Sequence, residues 1–312
     1  MKKLVVIVGP TGTGKTSLGL ELAKKFSGEL ISADSRQVFA SMDVGTGKIE
    51  VGEENAKIEK GKGFWLVDQI PIHLYDVVHP DESYSVAIFQ QAAYESIEQI
   101  SQRRKLPILV GGTGLYIQAV VEGLKIPKAA PDLRLRERLE KKSTENLLAN
   151  LKEVDPETFE KVDKNNRRRL VRALEVFSLT GEPISALKQK FKVDFDTLII
   201  GLSTERGKLY ESTDRRIESW FRTGAFQEEV KKLLEKYDQN LPSFTSLGYQ
   251  DVVNLVLGKS RLEEAIQRTK FKHHKFIRAQ LTWFRKMNGV NWFDSDSSKE
   301  EIVELVQTWL GK

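Results

Sequence analysis

Gly9-Pro10-Thr11-Gly12-Thr13-Gly14-Lys15-Thr16 fits the phosphate-loop pattern G-x-x-x-x-G-K-[ST] at every fixed position. It follows Leu4-Val5-Val6-Ile7-Val8, an apolar run rich in β-branched residues that reads as a buried strand. Ser17 to Phe26 comes next, with Leu18, Leu22 and Phe26 at helical spacing. Strand, glycine-rich turn and helix are the context in which backbone N–H groups converge on an anion. Gly9, Gly12 and Gly14 let the backbone close around a phosphate, with Thr11 and Thr13 between them. Lys15 adds a point charge, and the Thr16 hydroxyl is a ligand type for Mg²⁺. The loop alone leaves open whether its phosphates belong to a nucleotide or to another diphosphate.

Working outward, strands and helices alternate. Glu29 to Asp34 reads as a short strand ending in a polar turn, Val86 to Arg103 as a helix, and Leu106 to Val110 as a second buried strand. That strand ends at Gly111-Gly112-Thr113-Gly114, and Leu115 to Val121 reads as a helix. Alternation of this kind implies an α/β fold, with a parallel sheet carrying helices on both faces. Ligands on such sheets sit at the carboxyl ends of the strands. The loops Gly9–Thr16, Asp34–Gln37 and Gly111–Gly114 all lie at such ends. Composition shifts at Ile126-Pro127-Lys128-Ala129-Ala130-Pro131, and the sequence is then charged and helical to about Phe191. Thr197 to Leu202 returns as an apolar strand, and the rest reads as helices. The expected organisation is a phosphate-loop NTPase-like core over residues 1–125, a helical insertion over 126–192, and the remainder of the core with C-terminal helices over 193–312.

The chain has 312 residues, 40% of them hydrophobic, enough for a sizeable core. It has no cysteine, which excludes disulfides and thiolate zinc sites. No apolar run approaches the roughly 18 residues of a membrane span, so a cytoplasmic protein is expected. Net charge is +5, and its distribution matters more than its size. Lys164 to Arg172 holds five basic residues and no acid. Ala265 to Phe293 has no Asp or Glu, and interleaves basic residues with Phe271, Phe276, Trp283 and Phe284. Basic runs of this kind point to a polyanion partner.

Two further segments are candidates for chemistry. Asp34, at the end of the second strand, is placed to bind Mg²⁺ or to act as a general base, and equally to cap a turn. Gly111–Gly114 fits a phosphate or base contact, and equally a tight strand-to-helix connection. No nucleophile-elbow pattern and no metal-type His/Asp/Glu spacing is present.

Together the phosphate loop, Asp34-Ser35-Arg36-Gln37 with its continuation to Lys48, and Gly111 to Tyr116 resemble the tRNA dimethylallyltransferases, the IPP transferase family. So do Asn166 to Val176, Ser246-Leu247-Gly248-Tyr249 and Gln280-Leu281-Thr282-Trp283-Phe284-Arg285. The resemblance implies transfer of a dimethylallyl group from dimethylallyl diphosphate to N6 of the adenine 3′ to the anticodon. It implies an insertion that grips the anticodon stem-loop, Mg²⁺ held through Thr16, and a monomer. By resemblance Asp34 is the base, Thr113 and Arg216 assist the leaving group, and Gly9 to Thr16 hold the diphosphate. The segments matching the family's tRNA contacts are Asp34, Ser35, Arg36, Gln37, Thr113, Arg134, Arg168, Arg169, Leu170, Val171 and Arg172. The chain departs from the family at Pro71-Ile72-His73-Leu74, where Pro-His-His-Leu is frequent, and at Gly45-Thr46-Gly47-Lys48, where Gly-Thr-Ala-Lys is usual. Rival readings are prenylation of a free adenine nucleotide, a phosphate-loop kinase or NTPase, and a non-catalytic RNA-binding protein.

Overall fold

A computed structural model describes residues 2–48, 56–126, 132–186 and 190–311. Pro127 to Pro131, where composition signals a boundary, lie outside the described residues. The strands are β1 (Lys2–Val8), β2 (Gly28–Ser32), β3 (Ile58–Gly61), β4 (Phe64–Val67), β5 (Ile70–His73), β6 (Leu106–Gly111), β7 (Phe195–Ser203) and β8 (Val290–Asp294). They form one eight-stranded sheet in the order β3-β4-β5-β2-β6-β1-β7-β8. From β5 to β8 neighbours are parallel. β3, β4 and β5 form an antiparallel meander on one edge.

The helices are α1 (Lys15–Phe26), α2 (Val86–Gln102), α3 (Gly114–Val121), α4 (Leu133–Glu140), α5 (Thr144–Val154), α6 (Pro156–Lys161), α7 (Arg167–Thr180), α8 (Arg206–Arg222), α9 (Ala225–Leu234), α10 (Tyr249–Val256), α11 (Leu262–Phe284) and α12 (Lys299–Leu310). Leu18 and Leu22 of α1 and Ile302 and Val306 of α12 share a core with Val5 and Ile7. Strand alternation turns Leu4, Val6 and Val8 to the opposite face, where they are also fully buried. Burial on both faces explains why β1 reads as a continuous apolar run.

The chain divides into two compact units, Met1–Ile117 with Asp194–Lys312, and Gln118–Val193. The first holds the whole sheet. The second is helical and has its own core of Leu147, Leu151, Leu170, Val171 and Leu174. Asn166 caps α7 through its side chain, and Gly181 ends it in the left-handed region. One expectation is corrected: the segment after Leu202 is not wholly helical, because Val290–Asp294 pairs in parallel with β7.

Candidate active site

The three polar loops expected at strand ends converge on one cavity of about 480 Å³ in the sheet-bearing unit. β6 lies between β1 and β2, so the loops after these strands are neighbours by topology.

The phosphate loop closes on itself. The Thr13 hydroxyl donates to the Pro10 carbonyl at 2.9 Å, and the Lys15 ammonium donates to the same oxygen at 2.7 Å. Gly12 and Gly14 have φ of +90° and +69°, which disfavour any side chain. A Cβ on Gly9 would lie 2.4 Å from the Leu202 carbonyl oxygen, so that glycine serves close packing on β7. Of the expected diphosphate residues, Thr11, Gly12, Lys15 and Thr16 line the cavity. Gly9, Thr13 and Gly14 shape the loop behind them.

Asp34 lines the same cavity as this loop and feels the charge of Lys15. Burial pushes its carboxyl up from the ordinary range, opposed by the Arg36 backbone N–H, which donates to Oδ1 at 2.8 Å, and by the charges of Arg36 and Lys15. The Ser35 backbone N–H donates to Thr113 Oγ1 at 3.1 Å, joining the Asp34 segment to the second glycine turn. Arg216 also lines the cavity, its guanidinium 5.1 Å from the Trp220 ring centroid, whereas Arg215 is exposed.

The glycines of the second turn answer to packing. Cβ atoms at Gly111, Gly112 and Gly114 would collide with the Ala33 carbonyl, the Gln280 amide and the Trp283 ring. The connection is tight, and it also lines the cavity.

Further residues brace the cavity wall or complete it. Glu229 on α9 accepts the backbone N–H groups of Asp43 and Val44 at 2.7 Å each and of Gly45 at 3.3 Å, together with the Tyr249 hydroxyl at 2.7 Å. It thereby shapes the loop whose Gly45, Thr46 and Gly47 line the cavity. Gln37 continues that bracing. Its Nε2 donates to the Thr46 and Gly47 carbonyls, while its Oε1 accepts the Ser32 hydroxyl. Lys48 is wholly buried, and its ammonium bonds the Phe39 carbonyl, Asp43 and Asp76. His273 is buried and is pushed down to about 4 by desolvation, so its ring is neutral at physiological pH. The Thr269 carbonyl accepts from Nδ1–H at 2.9 Å, which leaves Nε2 as an acceptor. Trp283, 36% exposed, and Phe276 line the cavity. Both belong to the aromatics interleaved in the basic run, and Trp283 also to the Gln280–Arg285 segment that resembles the family.

Both family departures are placed. Ile72 is buried and lines the cavity, while His73 bonds Glu29 at 2.7 Å. Gly47 has φ of +66°, a conformation that favours glycine over alanine.

The expected RNA contacts outside Asp34–Gln37 and Thr113 lie in the helical unit. Arg134, Arg168 and Arg169 are exposed. Arg172 is bound to the wholly buried Glu175 at 2.6 Å, a carboxylate also held by Arg136 at 2.7 Å. Leu170 and Val171 are corrected as side-chain contacts: both are buried in the core of that unit.

Among the described residues no group of three or more His, Cys, Asp or Glu is arranged to hold a metal. The Thr16 hydroxyl on the cavity wall is the kind of hard oxygen donor that Mg²⁺ takes alongside substrate phosphate oxygens and water, so the site fits that ion without a protein cage.

A family model described as IPP transferase matches residues 37–287. The tRNA dimethylallyltransferase of Roseiflexus sp. (strain RS-1) is 39% identical over 317 residues, covering 99% of each chain. The solved structure of the full-length tRNA isopentenylpyrophosphate transferase from Bacillus halodurans aligns with a TM-score of 0.70 and 36% identity, over 99% of this chain and 96% of that one. A eukaryotic dimethylallyltransferase acting on tRNA aligns with a TM-score of 0.82 and 28% identity, over 100% of this chain and 80% of its own. With motifs in the family's order and matches running end to end, the chain belongs to the IPP transferase family.

Proposed function

We propose that the chain is a tRNA dimethylallyltransferase with a phosphate-loop core. It moves the dimethylallyl group of dimethylallyl diphosphate to N6 of adenine 37 and releases diphosphate. The observation that carries this reading is the single cavity that Asp34 lines together with Thr11, Gly12, Lys15 and Thr16. A kinase would use that loop to deliver a phosphoryl group. Here a carboxylate with a raised pKa lines the same cavity, suited to take a proton from a weak amine.

The chemistry follows from the wall. The exocyclic amine of adenine is a poor nucleophile because its lone pair is delocalised. Asp34 accepts its proton as the N6–C1 bond forms and the C1–O bond breaks. The bonding electron pair leaves on the diphosphate, whose growing charge is met by the loop amides, Lys15, Arg216 and the Thr113 side. Thr16 and the phosphate oxygens would hold Mg²⁺, which when bound neutralises charge on the leaving group. The target base must leave its stack to reach the cavity. Trp283 and Phe276 offer rings beside it. Ser35 and Arg36 contact the RNA at the mouth, and Arg134, Arg168 and Arg169 hold the stem-loop from the helical unit. Gln37 and Arg172 act by bracing. A tRNA substrate places the enzyme in the cytoplasm, where we take it to act as a monomer.

Mass spectrometry of tRNA from cells lacking this gene tests the reading. Loss of N6-dimethylallyladenosine is expected. Its retention, with no redundant enzyme present, contradicts the assignment.

A further inference from the structure

Two loops that come from neighbouring strands are joined a second time by one side chain from α11. Gln280 is 4% exposed. Its Oε1 accepts the Thr11 backbone N–H at 2.9 Å, and its Nε2 donates to the Gly112 carbonyl at 3.0 Å. The partners fix the amide orientation, since a backbone N–H only donates and a carbonyl only accepts. The fit is tight. A Cβ at Gly112 would lie 2.3 Å from Gln280 Nε2, and one at Gly114 would lie 2.3 Å from Trp283 Cδ1. Two glycines thus receive two side chains that stand three apart on one helix face. The strand pairing of β1 with β6 ends at Val8 and Gly111. Beyond that point the Gln280 amide carries the connection to the loops themselves.

On the transfer reading, the leaving group sits in the first loop, while the second turn sets Thr113 against that group and, through the Ser35 N–H, is tied to the Asp34 segment that takes the amine proton. Displacement at carbon needs the reacting atoms about 3–3.5 Å apart and in line, and a misplacement of about 1 Å costs roughly 100-fold. We propose that Gln280 is a positioning residue that sets the spacing between the phosphate loop and the Thr113 turn, with both its polar atoms spent on backbone.

The test compares the full-length chain with Gln280→Met, which keeps length and packing but breaks both bonds. Gln280→Asn, too short to span both loops, serves as the second variant should the first not fold. Steady-state rates are measured with dimethylallyl diphosphate and an unmodified anticodon stem-loop varied in turn. Inorganic diphosphate binding is measured by calorimetry, and hydrogen exchange is followed over residues 9–16 and 111–115. We expect kcat to fall roughly 100-fold while both KM values and the diphosphate Kd stay within about threefold. Exchange should accelerate in those two segments and remain slow in β1. An unchanged kcat, or unchanged exchange, overturns the proposal. So does a kcat loss matched by equally weakened diphosphate binding, which would make Gln280 a ligand group. A wild-type chain that transfers no prenyl group sinks the functional reading instead, and the exchange comparison still decides whether the clamp exists.

Discussion

Asp34 carries the heaviest chemical demand of any residue here and occupies an unfavourable place for a carboxylate. Burial raises its pKa, and the backbone N–H groups of Arg36 and Gln37 with two nearby cations only partly offset that. A group whose folded pKa lies above its unfolded value costs stability at neutral pH, and the cost is relieved as pH falls. Asp34→Asn keeps the acceptor for the Arg36 N–H and removes the charge. It should lower prenyl transfer by roughly 100- to 10,000-fold while raising the melting temperature. Stem-loop affinity should stay close to wild type. In the wild-type enzyme, kcat should drop on acidification through the raised pKa of Asp34, because the protonated acid cannot take the proton. Calorimetric melting and a pH–rate profile check both. The position of Asp34 at a strand end was visible in the sequence. Its desolvation was not, because the cavity it lines is walled by residues distant in sequence, among them Arg216 of α8 and Gln280 of α11.

Among the elements, the junction of β2 with β5 holds a charged knot that stability should report. Glu29 of β2 is buried and meets His73 of β5 at 2.7 Å, Arg103 after α2 at 2.7 Å and Lys105 at 3.0 Å. Burial works against its ionisation, and these bonds outweigh it, taking the carboxyl down to about 2 from 4.5. A depressed pKa contributes stability that is fully present above 4.5 and is lost as pH falls toward about 2. The cations are partly open to water, so Glu29→Gln should cost about 2 kcal/mol, below the roughly 3–5 kcal/mol of a fully closed pair. It should also flatten the acid limb of a stability–pH curve measured by urea unfolding. The elements differ in how far the sequence declares them. β1, β6 and β7 carry apolar runs buried on both faces, and β2 is short but fully buried and followed by a polar turn, so the sequence marks them. β3, β4 and β5 have four residues each, too few for a period to stand out, and β8 carries an exposed Trp292. The same holds for the site. Phosphate-loop residues are local in sequence and were legible, whereas Glu229 and Gln280 act on backbone far away along the chain.

At the scale of the whole molecule, the proposed function assigns the chemistry to the sheet-bearing unit and RNA binding to the helical unit. Leu170 and Val171 build the core of the helical unit, and Glu175 ties Arg136 to Arg172 inside it. Arg168 and Arg169 are the exposed members of the same run. Replacing both with Ala should weaken stem-loop binding roughly tenfold and reduce the salt slope by about two phosphate contacts. The diphosphate affinity of the other unit should not move; binding titrations at several salt concentrations measure it. The central claim concerns the reaction itself, and one assay addresses it most directly. The purified chain is given radiolabelled dimethylallyl diphosphate with unmodified tRNA in one reaction and AMP in another, and the products are digested to nucleosides. Label should appear in N6-dimethylallyladenosine from the base 3′ to the anticodon, with one diphosphate released per label. Labelling of AMP alone, or steady ATP turnover with no isoprenoid transferred, would contradict the account.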